Sequence, residues 1–532
     1  MPMTAKRSRR DIRLWAFIAG FSIYTMIAFQ RPLLAYALPN LDFGSPQGLV
    51  ELASLQVIQF GLMFIFLTLL SVLPTILMKV FCIATLFANA TGAYFMTSYN
   101  IELDRTMIGN ILSTDQREAS QLWHPHLMVQ AVLFALIPSL LILWLRVRKP
   151  RWYVRLGAAA MAVVMLIGWV YATSFTWLWF DEHIPRIGGR VLPWSYIVNT
   201  VRYFNQDALA NREQILLPDA NFLAAVPPGQ KDIVVLVIGE ASRAQNYAYY
   251  GYQRDTNPYT RDLGVVVLPA GQSCATYTIG SLACILTHEG SAASPRTGFE
   301  PLPSYLTRMG IETIFRANNT GEPPVKVTHY ERTSEIMARC HDSNCPDPAY
   351  DEALVWGLAD DLKASQAQRI FVVLHQAGSH GPSYWKKYPP AFEKFTPICA
   401  TVEVESCSRQ ALVNTYDNTI RYTDYVNALL IKSLKTIPSA RIAMIYVSDH
   451  GQSLGEHGLF LHGTPNAIAP AEQRMVPFLV WMNDAFMAAH GLTQASIQRP
   501  GTQPHDLPFH SVLGAFGMAS PIYKPEDDIF AK

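Results

Sequence analysis

The first third of the chain carries five apolar stretches, and a bilayer is the solvent that such a density of apolar side chains fits. Leu14 to Phe29 follows a basic start with Lys6, Arg7, Arg9, Arg10 and Arg13. No small-residue cleavage site follows it, so it reads as an uncleaved anchor rather than a signal peptide. Leu52 to Val72 is the second expected span and Ile76 to Thr97 the third, with a tight turn marked by Pro74 and Lys79. Leu127 to Leu145 is the fourth and Leu156 to Leu178 the fifth. Basic residues recur in the loop between spans four and five: Arg146, Arg148, Lys149, Arg151 and Arg155. Short loops rich in Lys and Arg stay in the cytoplasm. Five spans then deliver the C-terminal part to the other side of the membrane.

That part reads as an ordinary globular sequence. The expected organisation is a transmembrane domain at 1–179, an interfacial linker at 180–230 and a globular domain at 231–532. The linker mixes Trp194, Tyr196, Tyr203 and Phe204 with Arg190, Arg202 and Arg212, which suits helices lying in the membrane interface, and Pro227-Pro228-Gly229 closes it. Lys and Arg (42) nearly balance Asp and Glu (41), which argues against a nucleic-acid binder.

Of the 7 cysteines, Cys82 lies alone in an apolar run. The others form close pairs: Cys274/Cys284, Cys340/Cys345 and Cys399/Cys407. None has C-x-x-C spacing, so disulfides are favoured over zinc knuckles. Disulfides place this domain in an oxidising compartment, the same side that the loop charges select.

Asp232 to Ile238, Ile370 to Leu374 and Arg441 to Val447 are short, continuous apolar and β-branched runs. Such runs are strands buried on both faces, hence a parallel sheet, with helical patterns such as Ala411 to Leu434 between them. The runs end in Gly239-Glu240, in His375-Gln376-Ala377-Gly378-Ser379-His380-Gly381, and in Ser448-Asp449-His450-Gly451. Sites in open α/β sheets form beyond the carboxyl ends of strands, so Glu240, His380, Asp449 and His450 are expected to converge.

The hydroxyl-rich segment between Cys274 and Cys284 offers Thr276, Thr278 and Ser281 as nucleophiles. Carboxylate, imidazole and hydroxyl oxygen are all zinc ligands, and zinc would lower the pKa of a bound threonine hydroxyl. His380 and His462 suit a general acid or base, or a phosphate contact. Lys326 and Arg316 are weaker phosphate candidates that read more simply as surface charge. In the loop from Tyr99 to His126, Asn110, Thr114 and Glu118 are spaced four apart and share one face of a helix. Taken alone, they are a solvated face.

These motifs resemble the phosphoethanolamine–lipid A transferases, a family that includes the mobile colistin-resistance enzymes. The resemblance is carried by Gly239-Glu240-Ala241-Ser242-Arg243-Ala244, by Gly251-Tyr252 with Thr256-Asn257-Pro258, by Ser273-Cys274-x-Thr276-x-Thr278, by His375-Gln376-x-Gly378-Ser379-His380-Gly381-Pro382 and by Ser448-Asp449-His450-Gly451. It runs nearly end to end. It implies a five-helix transmembrane domain followed by an alkaline-phosphatase-like, sulfatase-like α/β/α domain in the periplasm, anchored in a bacterial inner membrane. It implies zinc held by Glu240, Thr278, Asp449 and His450, with Thr278 as the nucleophile. Thr278 would take phosphoethanolamine from phosphatidylethanolamine, and the covalent intermediate would pass it to a phosphate of lipid A, conferring polymyxin resistance. The resemblance further implies headgroup contacts from Asn110, Thr114 and Glu118, and substrate or second-metal roles for His380 and His462. The enzyme is expected to act as a monomer.

The sequence departs from the family pattern at Ala275, commonly glycine, at Ala283, commonly proline, and at Gln452, commonly glutamate. Pro323 stands where the family places a lysine, three residues after Thr320, which can stand for the family's serine. Two neighbouring readings share the fold: the same transfer to a core sugar or periplasmic glucan, and glycerol-phosphate transfer of the lipoteichoic-acid type. The paired cysteines and the His375 to Pro382 segment favour phosphoethanolamine transfer. A membrane scaffold without activity would have no need of every proposed ligand.

Overall fold

The computed structural model describes residues 10–114, 119–120, 122–174, 177–210, 214–293, 298–341, 344–402 and 404–531. They divide into two compact units, one within Met1–Ile108 and Trp123–Arg202, the other within Gly109–Leu122 and Tyr203–Lys532.

The first unit is helical. Among its described residues, Pro46–Leu70, Thr75–Tyr99, Pro125–Trp144 and Trp152–Ala172 are long and apolar enough to cross a bilayer. The expected first span differs in kind. Leu14–Phe29 has 16 residues, about 24 Å of helix, which is short of a bilayer core of about 30 Å. After a bend of 63° the chain continues as Arg31–Asn40, and the bent pair would make a fifth span. The bend has a local cause: Pro32, in the first turn of the new helix, has no N–H to give to the turn before it. The expected fifth span also shifts. It starts at Trp152 and ends at Ala172, and Trp177–Gly188 is a separate helix.

Helix ends in this unit are closed by specific groups. Ser45 accepts from the Gly48 N–H at the start of Pro46–Leu70, and Asn100 ends Thr75–Tyr99 in the left-handed conformation. Lys79 Nζ donates to Leu143 O at 3.2 Å and to Leu145 O. Lys149 Nζ donates to Ser71 O at 2.8 Å and Leu73 O at 2.6 Å, and Arg155 also reaches Ser71 O. The basic loop therefore satisfies carbonyls that terminate helices, which lipid could not do. Arg190, one of the basic residues of the expected linker, has a partner inside this unit. It is buried and ion-paired with Glu102 at 3.1 Å.

The second unit is built on a seven-stranded sheet. Its strands are β1 (Lys231–Gly239), β2 (Val266–Val267), β3 (Glu312–Ala317), β4 (His329–Arg332), β5 (Arg369–His375), β6 (Ala440–Ser448) and β7 (Phe478–Met482). The order is β2-β7-β6-β1-β5-β3-β4. The run β6-β1-β5-β3-β4 is parallel, while β7 and β2 add antiparallel pairs at one edge. Val234 to Ile238 are at most 1% exposed, so both faces of β1 are covered. Burying each such side chain contributes about 1.5–3 kcal/mol. On one face, Val234, Leu236 and Ile238 share a core with α1 (Thr278–Ile285) and with the later helix Leu507–Ala515. The long helix α2 (Arg409–Leu434) is capped by Ser408, whose hydroxyl accepts from the Ala411 N–H.

Register matters most for the site. Ser448 pairs with Gly239, and Ile238 with His375. Three parallel strands thus end level with one another, and their next residues emerge together. All three cysteine pairs form disulfides: Cys274–Cys284, Cys340–Cys345 and Cys399–Cys407. Cys82 is free and buried.

Candidate active site

Glu240 follows β1, and Asp449 with His450 follows β6; all three are fully enclosed. His450 Nε2 lies 3.3 Å from Glu240 Oε1 and 3.3 Å from Asp449 Oδ2. The other oxygen of Asp449 is held by backbone, accepting from Ala241 N at 3.0 Å and His450 N at 2.6 Å. His450 Nδ1 is 2.9 Å from Gly451 O, which leaves Nε2 turned toward the carboxylates. The turn after β5 closes over Glu240: Ser379 N donates to Glu240 O at 2.9 Å. Gly378 has φ +45°, and a Cβ there would lie 2.6 Å from the same oxygen, so this close approach requires glycine.

The three hydroxyls left open by the sequence now separate. Thr276 donates to Thr464 O at 2.6 Å, and Ser281 to Ala275 O at 3.1 Å; both are buried. Thr278 is half-buried and opens α1. Its Oγ1 lies 3.1 Å from Glu240 Oε2 and 3.4 Å from His450 Nε2. The first turn of a helix carries partial positive charge, which favours charge developing on that oxygen. Ala275, where the family commonly has glycine, fits because its methyl nests over Gly280. A Cβ on Gly280 would come within 2.7 Å of it and of the Tyr277 ring.

His462 joins the cluster. Glu240, His450 and His462 each offer a ligand atom within 4.8 Å of the others. His462 Nδ1 is 2.8 Å from Gln452 Oε1, so the amide oxygen accepts and Nε2 is left for the site. The rings of His450 and His462 are 4.2 Å apart, and those of His380 and His462 5.4 Å. Burial, then the neighbouring His450 and His380, hold the imidazole of His462 well below its usual pKa. Burial, then the charge of Asp449, push the carboxyl of Glu240 well above the usual range.

The residues present fit a divalent cation. Glu240 Oε1 and Asp449 Oδ2 are buried oxygens with no hydrogen-bond donor among the described residues, and both face His450 Nε2. Two enclosed carboxylates that repel each other are stabilised by a positive charge between them.

Two residues escape sequence reasoning. Asn319, in the loop after β3, donates from Nδ2 to Glu240 Oε2 at 2.7 Å. Asp351 is buried and accepts from Ala377 N at 2.8 Å, Gly378 N at 2.9 Å and Asn318 Nδ2 at 2.8 Å. It ties the loop after β3 to the loop after β5. Arg316 is the reverse case. Far from being surface charge, it is fully buried, donating to Leu354 O and Trp356 O and pairing with Asp361 and Glu331. Lys326 is exposed, and among the described residues its side chain makes none of the site's hydrogen bonds. Asn110 and Thr114 stand one turn apart, with Thr114 Oγ1 donating to Asn110 O at 2.8 Å. The described hydrogen bonds do not join them to the Thr278 cluster, and Glu118 lies outside the described residues.

Comparison with known proteins adds independent findings. The model of the family described as phosphoethanolamine transferase EptA/EptB matches residues 60–208, and the sulfatase family model matches residues 232–518. The chain is 38% identical over 448 residues to phosphoethanolamine transferase EptA of Helicobacter pylori, covering 83% of each chain. It is 32% identical over 508 residues to phosphatidylethanolamine transferase Mcr-1 of Escherichia coli, covering 90% of this chain and 92% of that one. Its structure matches the integral membrane lipooligosaccharide phosphoethanolamine transferase A of Neisseria meningitidis with TM-score 0.89 at 27% identity, covering 98% of this chain and 99% of that one.

Proposed function

The chain belongs to the phosphoethanolamine–lipid A transferase family, and on that premise we propose that it moves phosphoethanolamine from phosphatidylethanolamine to a phosphate of lipid A through a covalent intermediate on Thr278. The observation that carries this reading is the placement of Thr278 Oγ1, on a half-buried side chain and within 3.4 Å of both Glu240 Oε2 and His450 Nε2. We place the second unit in the periplasm and the first in the inner membrane, in keeping with the loop charges and the three disulfides.

Zinc is the ion proposed, with Glu240, Asp449, His450 and Thr278 as the residues that would hold it and His462 within reach. When bound, it would favour the alkoxide of a threonine and neutralise charge on a phosphoryl oxygen. Thr278 Oγ1 gives its proton to Glu240 Oε2 and attacks the headgroup phosphorus, the bond to the glycerol oxygen breaks, and diacylglycerol leaves once that oxygen takes a proton. Glu240 Oε2 accepts the hydrogen bond that orients Thr278. Asn319 holds the same carboxylate oxygen from the other loop. His380, half-buried beside His462, is the group assigned to protonate the leaving oxygen. In the second step an oxygen of the acceptor phosphate gives its proton to His380 and attacks the same phosphorus, the Thr278 Oγ1–P bond breaks, and Thr278 takes back the proton held by Glu240 Oε2. Asn110, Thr114 and Glu118 are proposed to contact the donor headgroup.

Adding an amine-bearing group to a lipid A phosphate reduces its negative charge and weakens binding of cationic polymyxins. The test is mass spectrometry of lipid A from cells expressing the wild type or Thr278→Ala. A phosphoethanolamine addition is expected with the wild type alone. Full transfer by Thr278→Ala would sink the mechanism. Unmodified lipid A beside a modified core sugar or glucan would move the acceptor.

A further inference from the structure

A cavity of about 320 Å³ adjoins the start of the nucleophile loop, and Ser273, Cys274, Ser291, Asn466, Arg474 and Thr502 are among its lining residues. Two lining groups are unanswered. Arg474 Nε is enclosed without an acceptor, and no hydrogen bond or ion pair occupies its guanidinium among the described residues. Ser273 Oγ is likewise enclosed without a partner. The neighbouring groups are already engaged. Asp506 accepts from Ser291 N at 3.0 Å and from the Ser291 hydroxyl, and Asn466 donates to Cys274 O. The cavity is tied to the loop by Ser273 N, which donates to Arg474 O at 2.8 Å.

Buried donors without acceptors are rare in native proteins, and a guanidinium paired with a hydroxyl suits the oxygens of a phosphate. We infer that this cavity binds a second phosphate of the acceptor glycolipid, distinct from the phosphate that receives the transferred group. The inference rests on the proposed acceptor and adds a subsite to it. A bisphosphorylated sugar would anchor one phosphate at Arg474 and present the other at Thr278, five residues along from Ser273.

The test uses the purified full-length enzyme, phosphatidylethanolamine at fixed concentration, and bis- or monophosphorylated lipid A as acceptor. With the wild type, the KM for the bisphosphorylated acceptor is expected to be lower by about tenfold. Arg474→Ala should raise that KM to the monophosphorylated value and leave turnover at saturating acceptor within about twofold. Arg474→Lys should fall between the two. Inorganic phosphate is the second probe: it should compete with the bisphosphorylated acceptor in the wild type and lose its effect in Arg474→Ala. Equal KM values for the two acceptors in the wild type, or an equal rise for both in Arg474→Ala, would overturn the subsite. Phosphate binding that does not compete would assign the cavity to free anions and overturn it too. Wild-type transfer to neither glycolipid is a different failure, that of the proposed function.

Discussion

Lys79 in the helical unit and Glu240 in the α/β unit are both ionisable and both buried, yet their surroundings differ in one respect. The ammonium of Lys79 is answered by the two helix-end carbonyls of Leu143 and Leu145. Glu240 keeps one oxygen without a donor, as does Asp449 beside it. A buried charge with its partners supplied serves the fold. A pair of buried like charges left unanswered destabilises the fold by itself, and so marks where something else binds.

The largest expected effect comes from Glu240→Gln. Transfer should fall by about 10³-fold or more and bound zinc, read by elemental analysis, should drop to background. The metal-free variant should unfold at the same or higher denaturant concentration, because the repulsion with Asp449 is gone. Retained zinc and activity would break the comparison at its centre.

His505 is an intermediate case, fully buried, with Nε2 3.1 Å from Ser448 O and Nδ1 without a partner. Burial pushes its pKa down to about 4 from 6.5, against the opposite pull of Asp449. Between those values the unfolded chain binds a proton that the folded one refuses. Its contribution is therefore complete above pH 6.5 and lost as pH falls toward 4, by about 3 kcal/mol at the low end. His505→Asn should flatten the fall in denaturation midpoint across that window. An unchanged slope would mean that other groups set it.

Asn319→Ala sharpens the contrast from outside the ligand set. Removing the donor to Glu240 Oε2 should weaken zinc binding by about 10–100-fold in a chelator competition. Unchanged zinc affinity would show that the α/β unit positions Glu240 without help from the loop after β3. The smallest effect on transfer belongs to Lys79→Met. It should cost about 1–3 kcal/mol of stability by leaving helix-end carbonyls bare, while zinc content stays the same. Loss of zinc in that variant would erase the distinction between the two buried charges.

What the sequence made legible follows from how far each signal reaches. Strands β1, β5 and β6 stand out because burial on both faces demands continuous apolar runs, and their ends announce Glu240, Asp449 and His450. Parallel register then does the rest, since Ser448 opposite Gly239 is a direct consequence of neighbouring parallel strands. Asn319 is illegible by the same logic. It sits in an irregular loop, and its partner is 79 residues away in the chain. Arg316 misleads because arginine is usually exposed, and its buried acceptors Leu354, Trp356 and Asp361 arrive from 38 to 45 residues downstream. The bend after Leu14–Phe29 was written in Gln30-Arg31-Pro32, but apolar content alone does not distinguish a straight span from a broken one.

The nesting of Ala275 over Gly280 reaches beyond this one chain. A side chain at 280 would meet both the Ala275 methyl and the Tyr277 ring, each at 2.7 Å, so two neighbours close that space between the cysteines. A lineage that acquires a side chain at 280 must surrender the methyl at 275 and shift the ring at 277 as well. The three positions should therefore be inherited together, and grafting a side chain at 280 alone between relatives should carry a penalty that exchanging 275 and 277 with it reduces.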